Sequence, residues 1–380
     1  MKITGIICEY NPLHLGHKRQ LDHVKASGSH IVCLMSGNFV QRGHPAIFDK
    51  SLRAQAALRC GADLVLELPI TAALSSAEGF ASEGVRILSC MCDSLSFGSE
   101  TGDPDLIMNT AKALLSDEFR CALLTALDTG VSFPTARQTA LRHLGIEAGA
   151  LTMPNDILAV EYCKAILAQG SAMIPAPLQR NGNYHAVTPD LHQPSATAIR
   201  SCIESAQPWQ HLIPAKAAPY FENATVHTLG AGERAMLARL RTMSEEEFEA
   251  LPFGSEGLWR KVMHSVFSAT DIAGIFASAK SKRYTHTRLS RMLMCAYLGI
   301  SAESMTQQAP YVRVLGFNNC GREILKKARK HGAFINIGEK TGHPYEALEA
   351  RADNLYGLFA VDAPGKPSLH NQRRVVYVDR

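Results

Sequence analysis

Two histidines three positions apart, His14 and His17, end the segment "IICEYNPLHLGH". Spaced within one helical turn, two imidazoles can face one ligand, each as a hydrogen-bond donor to a phosphate oxygen or as a cation against developing charge. Gly16 between them lets a large planar or charged ligand approach the backbone. A lone histidine at a helix start is more often a cap or a surface residue, but Asn11 and Pro12 at the exit of an apolar run turn the balance toward a site. The chemistry that suits such a pair is displacement at a phosphate, where charge must be stabilised and no protein nucleophile is needed.

The surrounding elements say where the pair sits. The apolar runs "KITGIICEY", "HIVCLMS", "ADLVLELP" and "SLSFGS" alternate with helical spacing, which predicts an α/β fold with a doubly wound, Rossmann-like parallel sheet. One of those helices, "FDKSLRAQAALRCG", should stop at Gly61. Ligands of open parallel sheets collect at the carboxyl ends of the strands, beside the next helix, where unpaired N–H groups favour a phosphate. His14 and His17 fall at that position. The pattern is mainly helical from about residue 104 to 169, with Pro154 and Asn155 opening one helix, and "AMIPAPLQR" is a further strand. A Gly-, Asn- and Pro-rich loop and the capped helix start "SATAIRSCI" then close a first domain over residues 1–204. Residues 205–380 read as a mainly helical domain with a turn-rich end and a final strand.

Composition removes several classes. The 380 residues are 46% hydrophobic and carry a net charge of only +4, so any nucleic-acid surface must come from local clustering. The start lacks the pattern of a signal peptide, and no window reaches the roughly 18 apolar residues that span a bilayer. A soluble, cytoplasmic protein is expected, and scattered cysteines inside apolar runs agree with a reducing compartment. Cys90 and Cys92 form the one close pair, with no second cluster to complete a zinc site, so no resident metal is expected. Neither "GxxxxGK[ST]" nor "GxGxxG" occurs.

"HLGH" resembles the HxGH motif of the nucleotidyltransferase superfamily that includes the class I aminoacyl-tRNA synthetases. Its wider setting is more specific. "GIICEYNPLHLGH", "MSGNFVQRGHPAIFDKSLRAQAALRCGADLVLELP", "FGSE", "PNDILAVEY" and "SATAIR" resemble the bacterial tRNA(Met) cytidine acetate ligases, and "SKRYTHTRLSRMLMCAYLGI" with "YVRVLGFNNCGREILKK" extends the likeness to about residue 330. The resemblance implies a ligase that joins acetate to ATP as acetyl-adenylate, releases pyrophosphate, and passes the acetyl group to N4 of the wobble cytidine of elongator tRNA(Met). It implies ATP with Mg2+, and ATP contacts at Ile7, Cys8, Glu9, Tyr10, Asn11, Pro12, Leu13, His14, Leu15, Gly16, His17, Lys18, Arg19 and Gln20. Further contacts carry over onto Gly98, Asn155 and Arg180, and pyrophosphate contacts onto Ser195, Thr197 and Arg200, although "SATAIR" departs from the lysine-rich KMSKS form. Each has a plainer reading: a turn glycine, a helix cap, a surface charge, an N-cap serine.

Gln41 and Arg42 in "SGNFVQRG" could shape an acetate pocket, with a structural turn as the alternative. Acetate is already ionised at neutral pH, whereas transfer to an amine needs a proton acceptor, for which Glu9 and Asp49 are conceivable and neither is decided. Residues 276–330 hold eleven Lys or Arg against Glu303 and Glu323, a local +9 that leaves the remainder at −5. Lys280, Lys282, Arg283, Arg288 and Arg291, interleaved with Tyr284, Tyr311 and Phe317, suit RNA phosphates with base stacking, the alternative being a solvated basic face. Two other functions compete: a small-molecule adenylyltransferase using the same histidines, and an inactive RNA-binding protein.

Overall fold

The computed structural model describes residues 1–146, 151–180, 194–281, 284–362, 367 and 370–379. The chain opens with β1 (Ile3–Cys8), α1 (Leu15–Ala26), β2 (His30–Ser36), a hairpin of β3 (Phe39–Val40) and β4 (His44–Pro45), and α2 (Lys50–Cys60). Next come β5 (Leu64–Leu68), α3 (Ile70–Ala73), α4 (Ala77–Leu88) and β6 (Ser94–Ser99). Helices α5 (Pro104–Leu114), α6 (Asp117–Asp128), α7 (Phe133–His143) and α8 (Pro154–Ala168) precede β7 (Ile174–Gln179) and α9 (Ala196–Glu204). The second half holds α10 (Leu229–Arg241), α11 (Glu245–Glu249), α12 (Leu258–Ser268), α13 (Ile272–Ala279), α14 (His286–Leu298) and α15 (Ala302–Thr306). It ends with β8 (Val312–Phe317), α16 (Asn319–Ala328), β9 (Phe334–Asn336), α17 (Pro344–Tyr356) and β10 (Val376–Tyr377).

The main sheet runs β10-β8-β5-β2-β1-β6-β7, with β9 beside β8. Strands β5, β2, β1, β6 and β7 are parallel, and their order reverses direction between β1 and β6, which opens a crevice at the carboxyl ends of those two strands. Strand β2 shows why the sheet is covered on both faces. Ile31, Cys33 and Met35 enter the core under α1 and α2, and the alternate residues Val32 and Leu34 enter the core under α4, α5 and α8. Strand β7 carries Pro175 and Pro177, tolerated because it lies at the sheet edge. Gly61, at φ 139°, ends α2 as its spacing predicts.

The second half holds the expected helices and final strand and adds two strands that the sequence reading did not give. Strands β8, β9 and β10 rejoin the first-half sheet, with β8 antiparallel to β5. The sheet therefore runs across the boundary expected at residue 204. Locally "VRVLGF" is a short apolar run among basic residues; its partner strand lies about 250 residues earlier, a pairing that no local pattern encodes. The helices α10–α14 and α17 do enclose a core of their own, but Phe39 and Leu74 of the first half sit inside it.

A buried charge cluster fastens the two halves. Lys50, 2% exposed, donates to both oxygens of Glu67 at 2.7 and 3.0 Å and pairs with Asp353 at 2.9 Å. Asp353 also accepts from Asn38 at 3.0 Å and meets His370 Nδ1 at 2.6 Å, while Arg373 pairs with Asp49 at 2.6 Å. Among the described residues, no helix is long and apolar enough to cross a membrane.

Candidate active site

His14 is the N-cap of α1, and its Nδ1 accepts the Gly16 N–H at 3.1 Å. His17 stands at the third helical position and returns the favour, its Nδ1 accepting the His14 N–H at 3.3 Å. Two imidazoles thus build the reciprocal cap usually made by a hydroxyl and a carboxylate. With both Nδ1 atoms used as acceptors, each neutral ring carries its proton on Nε2, and those two N–H groups are left for a ligand. The rings stack at 3.7 Å between centroids, 24° from coplanar, and Tyr10 lies 5.0 Å from His17.

Burial pushes the His14 pKa well below its usual value, helped by the charges of His17, Arg180 and Arg200; burial and Arg180 bring His17 to about 3. In the free protein the pair is neutral. Of the two forms open to the sequence, hydrogen-bond donor and cation, the free protein holds the donor. It also reassigns the space beside Gly16, where a Cβ would come within 2.9 Å of His14 Cε1: the glycine first makes room for the capping imidazole.

The rest of the segment divides by direction. Cys8, Tyr10 and Leu13 are buried among the residues under α1 and α2, and Ile7 packs toward Gly84 of α4, so these four side chains point into the protein. Pro12 follows a cis peptide and is buried, as is Asn11. Asn11 Oδ1 accepts the Ile47 N–H at 2.7 Å, and its carbonyl accepts Arg200 Nη1 at 2.7 Å. Glu9 Oε1 accepts the Gln41 N–H at 2.9 Å. Leu15 is half-buried, Lys18 pairs with Asp22, and Arg19 is exposed. Gln20 reaches across the crevice to Ser96 Oγ at 3.2 Å, joining α1 to β6.

Gly98 and Arg180 are neighbours: β6 and β7 pair there, and a Cβ on Gly98 would lie 2.8 Å from Arg180 Cδ. The glycine lets the guanidinium lie over the strand, from where it acts on both histidines. Asn155 is not the cap of α8. Glu100 does that work, accepting the Asp156 N–H at 2.9 Å, the Asn155 N–H at 3.3 Å and Asn155 Nδ2 at 2.7 Å. Asp156, fully buried, answers by accepting Ser99 Oγ at 2.5 Å and the Glu100 and Thr101 N–H groups at 3.1 Å each. "FGSE" and "PND" are one interlocked turn. Sequence reasoning singled out Gly98 and Asn155 and passed over the two carboxylates beside them, which hold the turn together.

Ser195 caps α9 through the Ala198 N–H at 3.0 Å, Thr197 is exposed, and Arg200 Nη2 donates to Thr197 Oγ1 at 3.2 Å. Through the Asn11 carbonyl, Arg200 ties this helix start to the "HLGH" loop. Two more residues escaped the sequence. Arg53, fully buried, donates to the carbonyls of Phe48 at 2.9 Å, Glu9 at 2.6 Å and Ser36 at 3.1 Å, and to that of Gly37, gathering the exits of β1 and β2. His44, two positions past Arg42, is brought to about 4 by burial and by the charges of Arg200, His286 and Arg42. Only the folded chain brings these charges to it.

Asp49 is removed as a base. Burial would raise its carboxyl, but the charge and hydrogen bonds of Arg373 outweigh this and hold it at about 2. Gln41 is tied by its backbone to Glu9 and by Nε2 to Ser75 O at 3.3 Å. In the basic stretch Lys280 is exposed, and Lys282 and Arg283 lie outside the described residues. Arg288 donates to Phe253 O at 2.9 Å and to Ser255 Oγ at 2.8 Å, while Arg291 is 9% exposed over the Phe253 ring. Tyr284 and Tyr311 are buried, so the stacking partners expected there face inward. Among the described residues His30, Asp63 and Cys320 have metal-ligand spacing, but Lys25 and Asn318 already hold the two Asp63 oxygens.

The pattern of the HIGH nucleotidyl transferases matches residues 1–369. The chain belongs to that family. It is 39% identical over 351 residues to a tRNA(Met) cytidine acetate ligase of Clostridium novyi, covering 87% of this chain and 88% of the relative. A tRNA(Met) cytidine acetate ligase of Clostridium acetobutylicum is 34% identical over 385 residues, covering 94% and 96%. The crystal structure of apo Thermotoga maritima TmcAL superposes with a TM-score of 0.91 at 28% identity over the whole of both chains. The same protein bound with alpha-thio ATP gives 0.88 at 28%, again over the whole of both chains. Within the HIGH family the chain thus falls among the tRNA(Met) cytidine acetate ligases.

Proposed function

We propose that this chain is an ATP-dependent ligase that activates acetate as acetyl-adenylate and transfers the acetyl group to N4 of the wobble cytidine of elongator tRNA(Met). The observation that carries the reading is the stacked pair of neutral imidazoles capping α1 at the switch point, within electrostatic reach of Arg180 and, for His14, of Arg200. It agrees with the name shared by the curated relatives and with the alpha-thio ATP bound to the Thermotoga protein.

ATP lies across the exits of β1 and β6, its phosphates toward the start of α1. Acetate, ionised at neutral pH, attacks the α-phosphate without a base. Charge moves onto the leaving pyrophosphate, where the two Nε2–H donors and the guanidinium groups of Arg180 and Arg200 stabilise it; preorganised donors of this kind are worth most where water is excluded. Gly98 and Asn155 line the nucleoside side of the crevice, held by the Glu100–Asp156 lock. Mg2+, bound to ATP, would supply further charge neutralisation.

In this reading residues 1–204 carry the ATP and acetate chemistry, and residues 205–380 bring the tRNA in the cytoplasm through the exposed part of the basic stretch around Lys280. The test is direct. The protein is incubated with ATP, labelled acetate and elongator tRNA(Met), and the nucleosides are resolved: N4-acetylcytidine at the wobble position is expected. Label in adenylate alone would reassign the acceptor, and no adenylate would remove the reading.

A further inference from the structure

The hairpin of β3 and β4 carries an imidazole that adenylation does not use. His44 opens β4 opposite Val40 and is half-buried, and neither of its ring nitrogens bonds a described residue. Two sets of contacts fix its place. On one side, the hairpin is tied to the "HLGH" loop: the Ile47 N–H donates to Asn11 Oδ1 at 2.7 Å and the Gln41 N–H to Glu9 Oε1 at 2.9 Å. Arg200, bonded to the carbonyl of the same Asn11, is close enough to act on His44 electrostatically.

On the other side the hairpin tip presses on α14. Gly43 has φ 76°, and a Cβ there would lie 2.5 Å from Arg291 N; Ser290 Oγ donates to the Gly43 carbonyl at 3.3 Å. His286 stands one turn before Ser290, on the same helix face, and its charge also reaches His44. The His286 ring is exposed and stacks on Phe276 at 4.3 Å, 18° from coplanar, giving a flat surface at the start of the basic stretch. The hairpin that carries His44 thus packs on the "HLGH" loop and on α14, and the ring lies within electrostatic reach of Arg200 and His286.

We propose that His44 is the proton acceptor of the second half-reaction, with the Phe276–His286 pair as the surface on which the acceptor base rests. This rests on the ligase reading above. The amine nitrogen forms a C–N bond to the acetyl carbon, the bond from that carbon to the AMP phosphate oxygen breaks with its electron pair leaving on AMP, and the amine proton passes to a His44 ring nitrogen and then to water. The ring is unprotonated at neutral pH in the free protein, where burial and the charges of Arg200, His286 and Arg42 oppose its protonation; the anionic phosphate of the adenylate beside it offsets those charges and favours the imidazolium. A positioned base of this kind contributes roughly 10²- to 10⁴-fold.

The experiment measures three quantities on full-length His44→Gln and His44→Ala: acetate-dependent ATP–pyrophosphate exchange, tRNA binding, and single-turnover acetyl transfer to tRNA. Exchange and binding should stay within about twofold of the parent while transfer falls about 10²-fold or more. Added imidazole should restore transfer to His44→Ala and leave exchange unchanged. Exchange falling in step with transfer would place His44 in adenylation and overturn the proposal, as would loss of tRNA binding, unchanged transfer or absence of imidazole rescue. Failure of the ligase reading is separate, because the parent itself would then form no acetylcytidine.

Discussion

The imidazole of His14 stacks on that of His17 at 3.7 Å, and each ring spends its Nδ1 on a backbone N–H of the helix they begin. One set of atoms closes the helix and leaves the two Nε2 atoms for the proposed ligand. Structural and chemical roles are thereby carried by different nitrogens of the same ring, and substitutions can separate them.

In His14→Asn the amide oxygen replaces Nδ1 as the cap acceptor, and asparagine is among the best N-caps. The Nε2–H donor has no counterpart. Stability in denaturant should change by less than about 1 kcal/mol while pyrophosphate exchange falls about 10²- to 10³-fold, the usual cost of one lost oxyanion donor. Exchange at the parent rate would show that His14 only caps.

Acid should destabilise the fold earlier than carboxylate titration alone predicts. His17 at about 3, His44 at about 4 and His14 well below its usual value all titrate near 6.5 once unfolded. Below pH 6.5 the unfolded chain therefore binds up to three protons that the folded chain refuses, and stability falls by at most about 4 kcal/mol per pH unit. Asp49, at about 2, acts in the same direction at lower pH: a depressed carboxyl whose contribution is present above about pH 4 and is lost toward pH 2. Urea unfolding at pH 7, 6 and 5 should give a steep decline; a flat profile over that range would contradict the neutral imidazoles.

Lys50→Met should cost about 3–5 kcal/mol, because it leaves the Glu67 and Asp353 carboxylates buried around an uncharged side chain. The midpoint of chemical unfolding measures it. A loss below about 1 kcal/mol would mean that the cluster tolerates protonated acids at neutral pH.

Replacing Lys280, Lys282 and Arg283 together by alanine should weaken tRNA binding and flatten its log–log salt dependence by about one for each phosphate contact removed. Exchange without tRNA should be unaffected. The parent salt slope in the triple variant would move the RNA surface elsewhere.

The sequence alone determined a great deal. The strands β1, β2, β5, β6 and β7 are written in local apolar runs, and "HLGH" at the end of the first run opens α1 at the switch point of the sheet, because strand alternation and helix capping act over a few residues. What it left open was decided by contacts between distant segments. Asp49 reads as a candidate base until Arg373 is brought to it from 324 residues away, and Tyr311 and Arg291 read as RNA contacts until packing turns them inward. The role proposed for His44 arises only when α14 packs on its hairpin and Arg200 of α9 comes within electrostatic reach. The strand β8 rejoins β5 across the expected domain boundary for the same reason. Local physics names the residues that can do chemistry; burial and long-range electrostatics, which exist only in the folded chain, decide which of them carry a proton, which carry a charge and which face the ligand.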